Sequence, residues 1–293
     1  MNDSLTIIDP QNGNLAFKIF SFHNGSHFDH VQRLNYHSLI IILKGAALLK
    51  ADFSEYPIQQ NCLLYFSPFQ PFMFDEAKYL DGICINFHSD FFCIFKHHHE
   101  IACNGVLFNN IYQTPFITLS DIELRDFVNL VEQMKKEMQS NDIAQRELLI
   151  SYLKIFLISA TRIKLSQHPE SKNEVQASPE HHIIQNFKDA IEKHFKTKHS
   201  ASEYAELLNI PVNTLAKISR THFNKSLSDL ITERIIIEAK RELYLTSKPV
   251  KQIANDLGFN DEYYFSRFFK KNTDISPKQY RDTSGFARAE NLN

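Results

Sequence analysis

The stretch "DLGFNDEYYFSRFFKKN", Asp256 to Asn272, crowds aromatic and basic side chains into one short run. With Phe265 at zero on a helix and about 100° per residue, Phe268 and Phe269 fall within about 60° of it and form a stripe suited to burial. Tyr263, Ser266, Arg267 and Lys270 project the other way. That outer face offers hydrogen-bond donors, an aromatic edge and cations, which suit base edges in a major groove with phosphates alongside. Upstream, "VNTLAKISR" behaves likewise: Leu215 and Ile218 turn inward, while Asn213, Ala216, Lys217 and Arg220 turn outward.

A single amphipathic helix with a solvated face would look the same, so the elements carrying these faces decide the reading. In "SEYAELLNIPVNTLAKISRTHFNKSLSDLI", Ala205, Leu208, Asn209, Leu215 and Ile218 mark a helix, a tight turn and a second helix. About 50 positions on, "VKQIANDLGFNDEYYFSRFFKKNTDISPKQY" repeats the grammar through Ala254, Leu257, Gly258, Phe265 and Phe268 or Phe269, with one more residue in the turn. The physics is that of a helix-turn-helix. A small Ala admits close helix approach, an Asn or Gly tolerates the left-handed turn, and apolar residues pin the second helix.

Charge is distributed to match. Residues 181–293 hold 18 Lys+Arg against 14 Asp+Glu, and residues 1–180 hold 14 against 20, inside a formal net charge of -2. Such asymmetry points to an anionic partner for the C-terminal part. With 293 residues, 43% of them hydrophobic, the chain is long enough for about two globular domains.

The window "PVKQIANDLGFNDEYYFSRFFKKNTDISPKQYR" resembles the signature of the AraC/XylS family of bacterial transcription regulators. Ile253, Ala254, Gly258, Phe259, Tyr264, Phe265, Arg267, Phe269, Lys270, Ser276, Pro277, Tyr280 and Arg281 stand at its positions. The resemblance covers residues 181–283 well and the earlier half more loosely. It implies two helix-turn-helix units, joined by a long central helix such as Ser228 to Ser247, that read successive major-groove segments of double-stranded DNA. It assigns Asn213, Thr214, Ala216, Lys217 and Arg220 to a first reading surface, and Glu262, Tyr263, Ser266 and Arg267 to a second. Arg267 is the expected guanine contact; Lys270, Lys271 and Arg220 are expected on phosphates. Two departures stand out. The family's usual Gly after each recognition helix is Asn224 and Asp274, both able to adopt a left-handed conformation. A common large aromatic in the first unit is Ser219, which implies looser packing there.

Residues 17–116 alternate short β-rich runs with turn signals: "SLIIILKG" (Ser38 to Gly45), "ALLKADF" (Ala47 to Phe53), "CLLYFSP" (Cys62 to Pro68) and "DGICINFH" (Asp81 to His88). This predicts a small β-barrel or sandwich. From Asp121 the period becomes helical behind a Ser120/Asp121 cap with Glu123 nearby, and a second helix at about 143–164 is apolar around most of its circumference. That excess of apolar surface argues for a partner helix, from another subunit or elsewhere. By resemblance, the sheet part is a cupin-like barrel that takes a small effector, followed by helices that dimerise. Tyr36, His37, Phe66, His88 and Phe92 are candidate effector-lining residues.

The expected organisation is therefore an α+β multidomain chain. Residues 1–168 form a cupin-like effector and dimerisation domain with helices at about 121–165, 169–180 a linker, and 181–286 an all-α double helix-turn-helix domain. The expected partners are double-stranded DNA, a small effector, a second copy through helix 143–164, and RNA polymerase. No cofactor or metal is expected. The histidines His23, His27, His30 and His37 lack a compact metal spacing, and alternate side chains of consecutive His97, His98 and His99 would diverge in a strand. Cys62, Cys84, Cys93 and Cys103 have no CxxC pairing and read as reduced, buried thiols. No Gly-rich phosphate loop or nucleophile motif argues for an enzyme. The competing reading is a ligand-binding or enzymatic N-terminal domain whose helical part serves only protein contacts. An acidic N-terminus without an apolar run, and no run of about 18 apolar residues, predict a cytoplasmic protein with no membrane span.

Overall fold

Leu39 to Leu43 is apolar at every position, which an ordinary half-exposed strand would not be. The explanation lies in a sheet covered on both faces. The structure, a computed structural model, describes residues 4–10, 13, 15–23, 26–52, 54–97, 106–140, 142–167 and 179–283. Among the described residues, seven strands lie in one antiparallel sheet: β1 (Ser4–Ile8), β2 (Leu15–Phe22), β3 (His37–Ala51), β4 (Ser54–Gln59), β5 (Cys62–Phe66), β6 (Phe72–Phe87) and β7 (Phe116–Thr118). Their order is β1-β2-β6-β3-β5-β7, with β4 paired to β3. Leu39 and Ile41 face one core with Phe17, Ile19, Tyr65 and Phe87. Ile40 and Ile42 face a second core rich in rings, among them Phe20, Phe22, Phe28, Phe66, Phe72 and Phe74. Phe66 and Phe72 stack with centroids 3.9 Å apart.

The two runs read as separate strands on either side of Gly45 are a single strand, β3. Gly45 takes a φ of 90° there, and the β3–β6 register shifts between Ile42 and Leu48, so the glycine makes an irregularity within a strand and not a turn. Strands β1, β2, β4 and β7 go beyond the runs named in the sequence reading.

The first core is closed by α1 (Asp121–Met138) and α2 (Gln145–Gln167). Ser120 and Glu123 form a reciprocal capping box at the start of α1. Phe127 on α1 and Phe156 on α2 meet at 4.5 Å between centroids. Much of α2's apolar circumference is thus covered by α1 and the sheet, while Leu148, Ile155 and Leu165 stay exposed. Lys164 on α2 is fully buried, with its ammonium 2.9 Å from the Thr114 carbonyl oxygen.

The chain divides into two compact units, residues 1–110 with 114–168, and residues 111–113 with 169–293. The second is helical among its described residues: α3 (Pro179–His194), α4 (Ala201–Leu208), α5 (Val212–Phe223), α6 (Leu227–Leu245), α7 (Val250–Asp256), α8 (Glu262–Thr273) and α9 (Pro277–Thr283). The expected linker 169–180 lies outside the described residues up to 178, and Pro179 already opens α3. Residues 284–286, His98, His99 and Cys103 also lie outside them. Cys62, Cys84 and Cys93 are free and buried. No helix among the described residues is long and apolar enough to cross a membrane.

Candidate nucleic-acid interface

Both helix pairs close by the same local chemistry. Helix α4 starts at a Ser200–Glu203 capping box and ends at Asn209, whose φ of 53° is left-handed. The Ile210 N–H then donates to the Ala205 carbonyl at 3.0 Å. Helix α7 ends through Gly258 at φ 79°, and the Phe259 N–H donates to the Ala254 carbonyl at 2.9 Å. The two alanines singled out in the repeat therefore hold equivalent bonds that turn the chain into the next helix. Asp261 caps α8 through its carboxylate and the Tyr264 N–H. Asn224 and Asp274, where the family prefers Gly, take φ values of 53° and 65° and end α5 and α8 as the sequence predicts.

Helix α5 buries Leu215, Ile218, Ser219 and Phe223, and leaves Asn213, Thr214, Lys217 and Arg220 exposed, with Ala216 half-buried. Helix α8 buries Phe265, Phe269 and Thr273, and exposes Tyr263, Arg267, Lys270 and Lys271. Phe268, Glu262 and Ser266 are half-buried, as suits positions near the edge of the buried arc. Tyr264 is 56% exposed beside Tyr263 at 74%; the sequence reading places it in the signature but not on the outer face. Its place on the wheel, one residue before Phe265 and so about 100° away, could have revealed it.

Some cations of this unit are held in ion pairs and others are not. Lys225, Arg234, Arg241 and Lys248 are engaged in ion pairs: Lys225 with Glu233 at 2.7 Å, Arg234 with Glu192 at 2.8 Å and Glu238 at 3.2 Å, Arg241 with Glu238 at 3.2 Å, and Lys248 with Glu242 and Asp256 at 2.8 Å each. Lys217, Arg220, Arg267, Lys270 and Lys271 are exposed and make no ion pair among the described residues, as is also true of Lys193 on α3, Lys251 on α7 and Lys278 on α9. The paired cations build the scaffold; those on α5 and α8 present unneutralised charge on the two recognition helices, where an anionic partner would find it.

The remaining signature residues are structural. Tyr280 packs edge-on against Phe269 at 5.7 Å. Arg281 donates to the carbonyls of Leu243 at 3.2 Å and Lys248 at 2.6 Å, tying α9 to the end of α6. Ser219 is not a loose spot: it is fully buried, and its hydroxyl donates to the Lys225 carbonyl at 2.8 Å.

In the sheet unit the effector candidates are spread over two cores, with Tyr36 and His88 near each other and His37 linked to Phe92 through Phe87. Phe66 belongs to the ring-rich core and Phe92 to the helix-covered core. His37 stacks on Phe87 at 4.9 Å, and His88 lies 6.1 Å from half-buried Tyr36 and 3.4 Å from Asp90. None of the five lines the open cavity of about 400 Å³ beside β2. Ser4, Lys18, Ser21, His23 and His27 give that cavity a polar wall, with the Phe20 ring beneath. Burial, and then the charges of Lys18 and His30, hold the His27 imidazole below its ordinary range. Among the described residues no cluster of three metal-ligating side chains occurs.

The fold and site define a paired helix-turn-helix module. A family model described as "Helix-turn-helix domain" matches residues 204–283. The chain is 31% identical over 118 residues to an uncharacterized HTH-type transcriptional regulator in the cgkA 5' region of Pseudoalteromonas carrageenovora, covering 40% of this chain and 69% of that one. It is 30% identical over 95 residues to the raffinose operon transcriptional regulatory protein RafR of Pediococcus pentosaceus, covering 32% of this chain and 34% of that one. ToxT from Vibrio cholerae is similar at 14% identity over 96% of each chain, with a TM-score of 0.38. The chain belongs to the AraC/XylS family of helix-turn-helix regulators. It spans about a third of the length of the first two curated relatives it matches.

Proposed function

We propose that the chain is a sequence-specific DNA-binding transcription regulator and not an enzyme, with residues 181–286 as the reading domain and 1–168 as the effector and dimerisation domain. The observation that carries this is the pair of recognition helices, whose outer faces together hold five exposed cations, Lys217, Arg220, Arg267, Lys270 and Lys271, that make no ion pair among the described residues. Asn213, Thr214, Ala216, Lys217 and Arg220 form one reading surface and Glu262, Tyr263, Ser266 and Arg267 the other. Arg267 contacts guanine, which is worth about 1–3 kcal/mol of discrimination if bidentate. Arg220, Lys270 and Lys271 hold phosphates, so three released counterions give a salt slope of about -2.7. The test is competition among selected duplexes. Arg267→Ala should lose its site preference and keep general affinity; uniform weakening on all sequences would make Arg267 a phosphate contact instead. If wild-type protein bound no duplex at low salt, the helical unit would serve protein contacts only.

The cavity beside β2 supports an effector that carries an acidic group. Lys18 makes no ion pair among the described residues, and hydroxyls, imidazoles and a ring face surround it. Calorimetric titration with small carboxylates and phosphates should show binding that Lys18→Met removes. The exposed Leu148 and Ile155, seven residues apart on α2, support self-association through one seam, which Ile155→Glu should abolish in sedimentation. RNA polymerase as partner and a cytoplasmic location follow from the regulatory reading.

A further inference from the structure

The turn of the second helix-turn-helix is seated on the loop between α3 and α4, and a histidine sits at the seat. A Cβ on Gly258 would come within 2.1 Å of the Lys196 carbonyl oxygen and 3.3 Å of His199 Nε2. Only a glycine lets the turn come this close to that loop. The His199 ring packs 4.7 Å from the ring of Phe259. Phe259 in turn meets Tyr264, Phe265 and Phe268 of α8 at 5.9, 5.2 and 5.2 Å. The backbone N–H of His199 donates at 3.0 Å to Glu203, whose carboxylate also completes the cap of α4. One residue therefore joins the start of the first helix-turn-helix to the ring cluster that carries the second recognition helix. Its Nε2 is buried without a hydrogen-bond partner.

We propose that His199 is a positioning residue: it fixes the pose of α8 relative to α5, so that both recognition helices can engage one duplex. The inference rests on the DNA-binding reading for its consequence, though not for the joint itself. The ring acts in its neutral form. Burial holds its pKa below the ordinary histidine value, against opposing pulls from the Leu257 carbonyl, the Glu203 carboxylate and the Phe195 carbonyl. The turn itself presents no acidic group to the ring: the nearby Asp256 carboxylate is tied to Lys248 at 2.8 Å. A proton on His199 would place a charge against a ring cluster and a backbone turn with no counter-charge from that side, and would loosen the seat.

The test uses the full chain and two variants. His199→Lys sets a permanent charge at the joint, and His199→Phe keeps a ring that cannot titrate. Amide hydrogen exchange at neutral pH should be faster in His199→Lys across 257–268 and unchanged across 205–220, with His199→Phe close to wild type in both. Faster exchange everywhere, or nowhere, in His199→Lys overturns the joint. That measurement needs no DNA, so its failure is distinct from failure of the DNA reading. On a duplex selected by the wild-type protein, lowering the pH from about 7.5 to 5.5 should weaken wild type by less than about tenfold, the ceiling set by one group at the ordinary histidine value of 6.5, and by more than it weakens His199→Phe. His199→Phe should weaken less than about twofold by the same scale. In His199→Lys, base protection should persist under α5 and vanish under α8. Identical pH profiles for wild type and His199→Phe, or loss of both segments together in His199→Lys, would contradict the proposal.

Discussion

The two helix-turn-helix units share a backbone plan and differ in what fills them. The second is held by rings: Phe259, Phe265, Phe268, Phe269 and Tyr280 touch in sequence. The first has fewer ring contacts, Phe187 lying 6.3 Å from both Tyr204 and Phe223, and it adds the buried Ser219 hydroxyl and a buried ion pair, Lys225 to Glu233 at 2.7 Å. A similar exposed cationic face is thus carried by interiors that differ in chemistry. An aromatic cluster gains from apolar area and ring geometry. A buried pair gains little net and mainly penalises arrangements that leave either charge alone.

That contrast yields graded expectations for chemical denaturation followed by helical signal. Phe269→Ala should cost the most, about 3–5 kcal/mol, because a buried ring leaves a cavity. Lys225→Met should cost about 3 kcal/mol by stranding the Glu233 carboxylate, and adding Glu233→Leu should restore much of it. If the double variant were as unstable as the single one, the pair would be contributing through net attraction, and the contrast would fail. Lys164 in the sheet unit is a control, a buried lysine held by carbonyl oxygens without a carboxylate. Burial lowers its pKa to about 8. The unfolded chain keeps the ordinary lysine value, so it binds more protons between those two values, and stability should rise as pH climbs through that window. The slope should reach about 1.4 kcal/mol per pH unit and vanish in Lys164→Met. Smaller still, Ser226→Ala should cost about 1 kcal/mol, since the Ser226 hydroxyl accepts the Asp229 N–H in the cap of α6. Lys217→Ala should change stability by less than about 0.5 kcal/mol, because its side chain is exposed and unpaired.

The helical unit was legible in the sequence because its signals are local. The Ala-to-turn spacing, the left-handed Asn209, Gly258, Asn224 and Asp274, and the wheel positions of α5 and α8 each depend on a few neighbouring residues. What escaped depends on distant chain. That β3 runs through Gly45 is decided by its pairing with β6, and that Ser219 is packed is decided by the backbone of Lys225. The effector candidates rest on residue type and on the resemblance of their strands to a barrel. The cavity beside β2 draws instead on which strand faces meet, a property set by register.

The central claim is that unneutralised cations on α5 and α8 hold a duplex, and the salt dependence of binding by the full chain tests it most directly. Between about 50 and 200 mM salt, a slope of about -2.7 predicts an affinity loss of about 40-fold, and Lys270→Ala should flatten the slope by about 0.9. A slope near zero, or one that Lys270→Ala and Lys271→Ala leave untouched, would contradict the account.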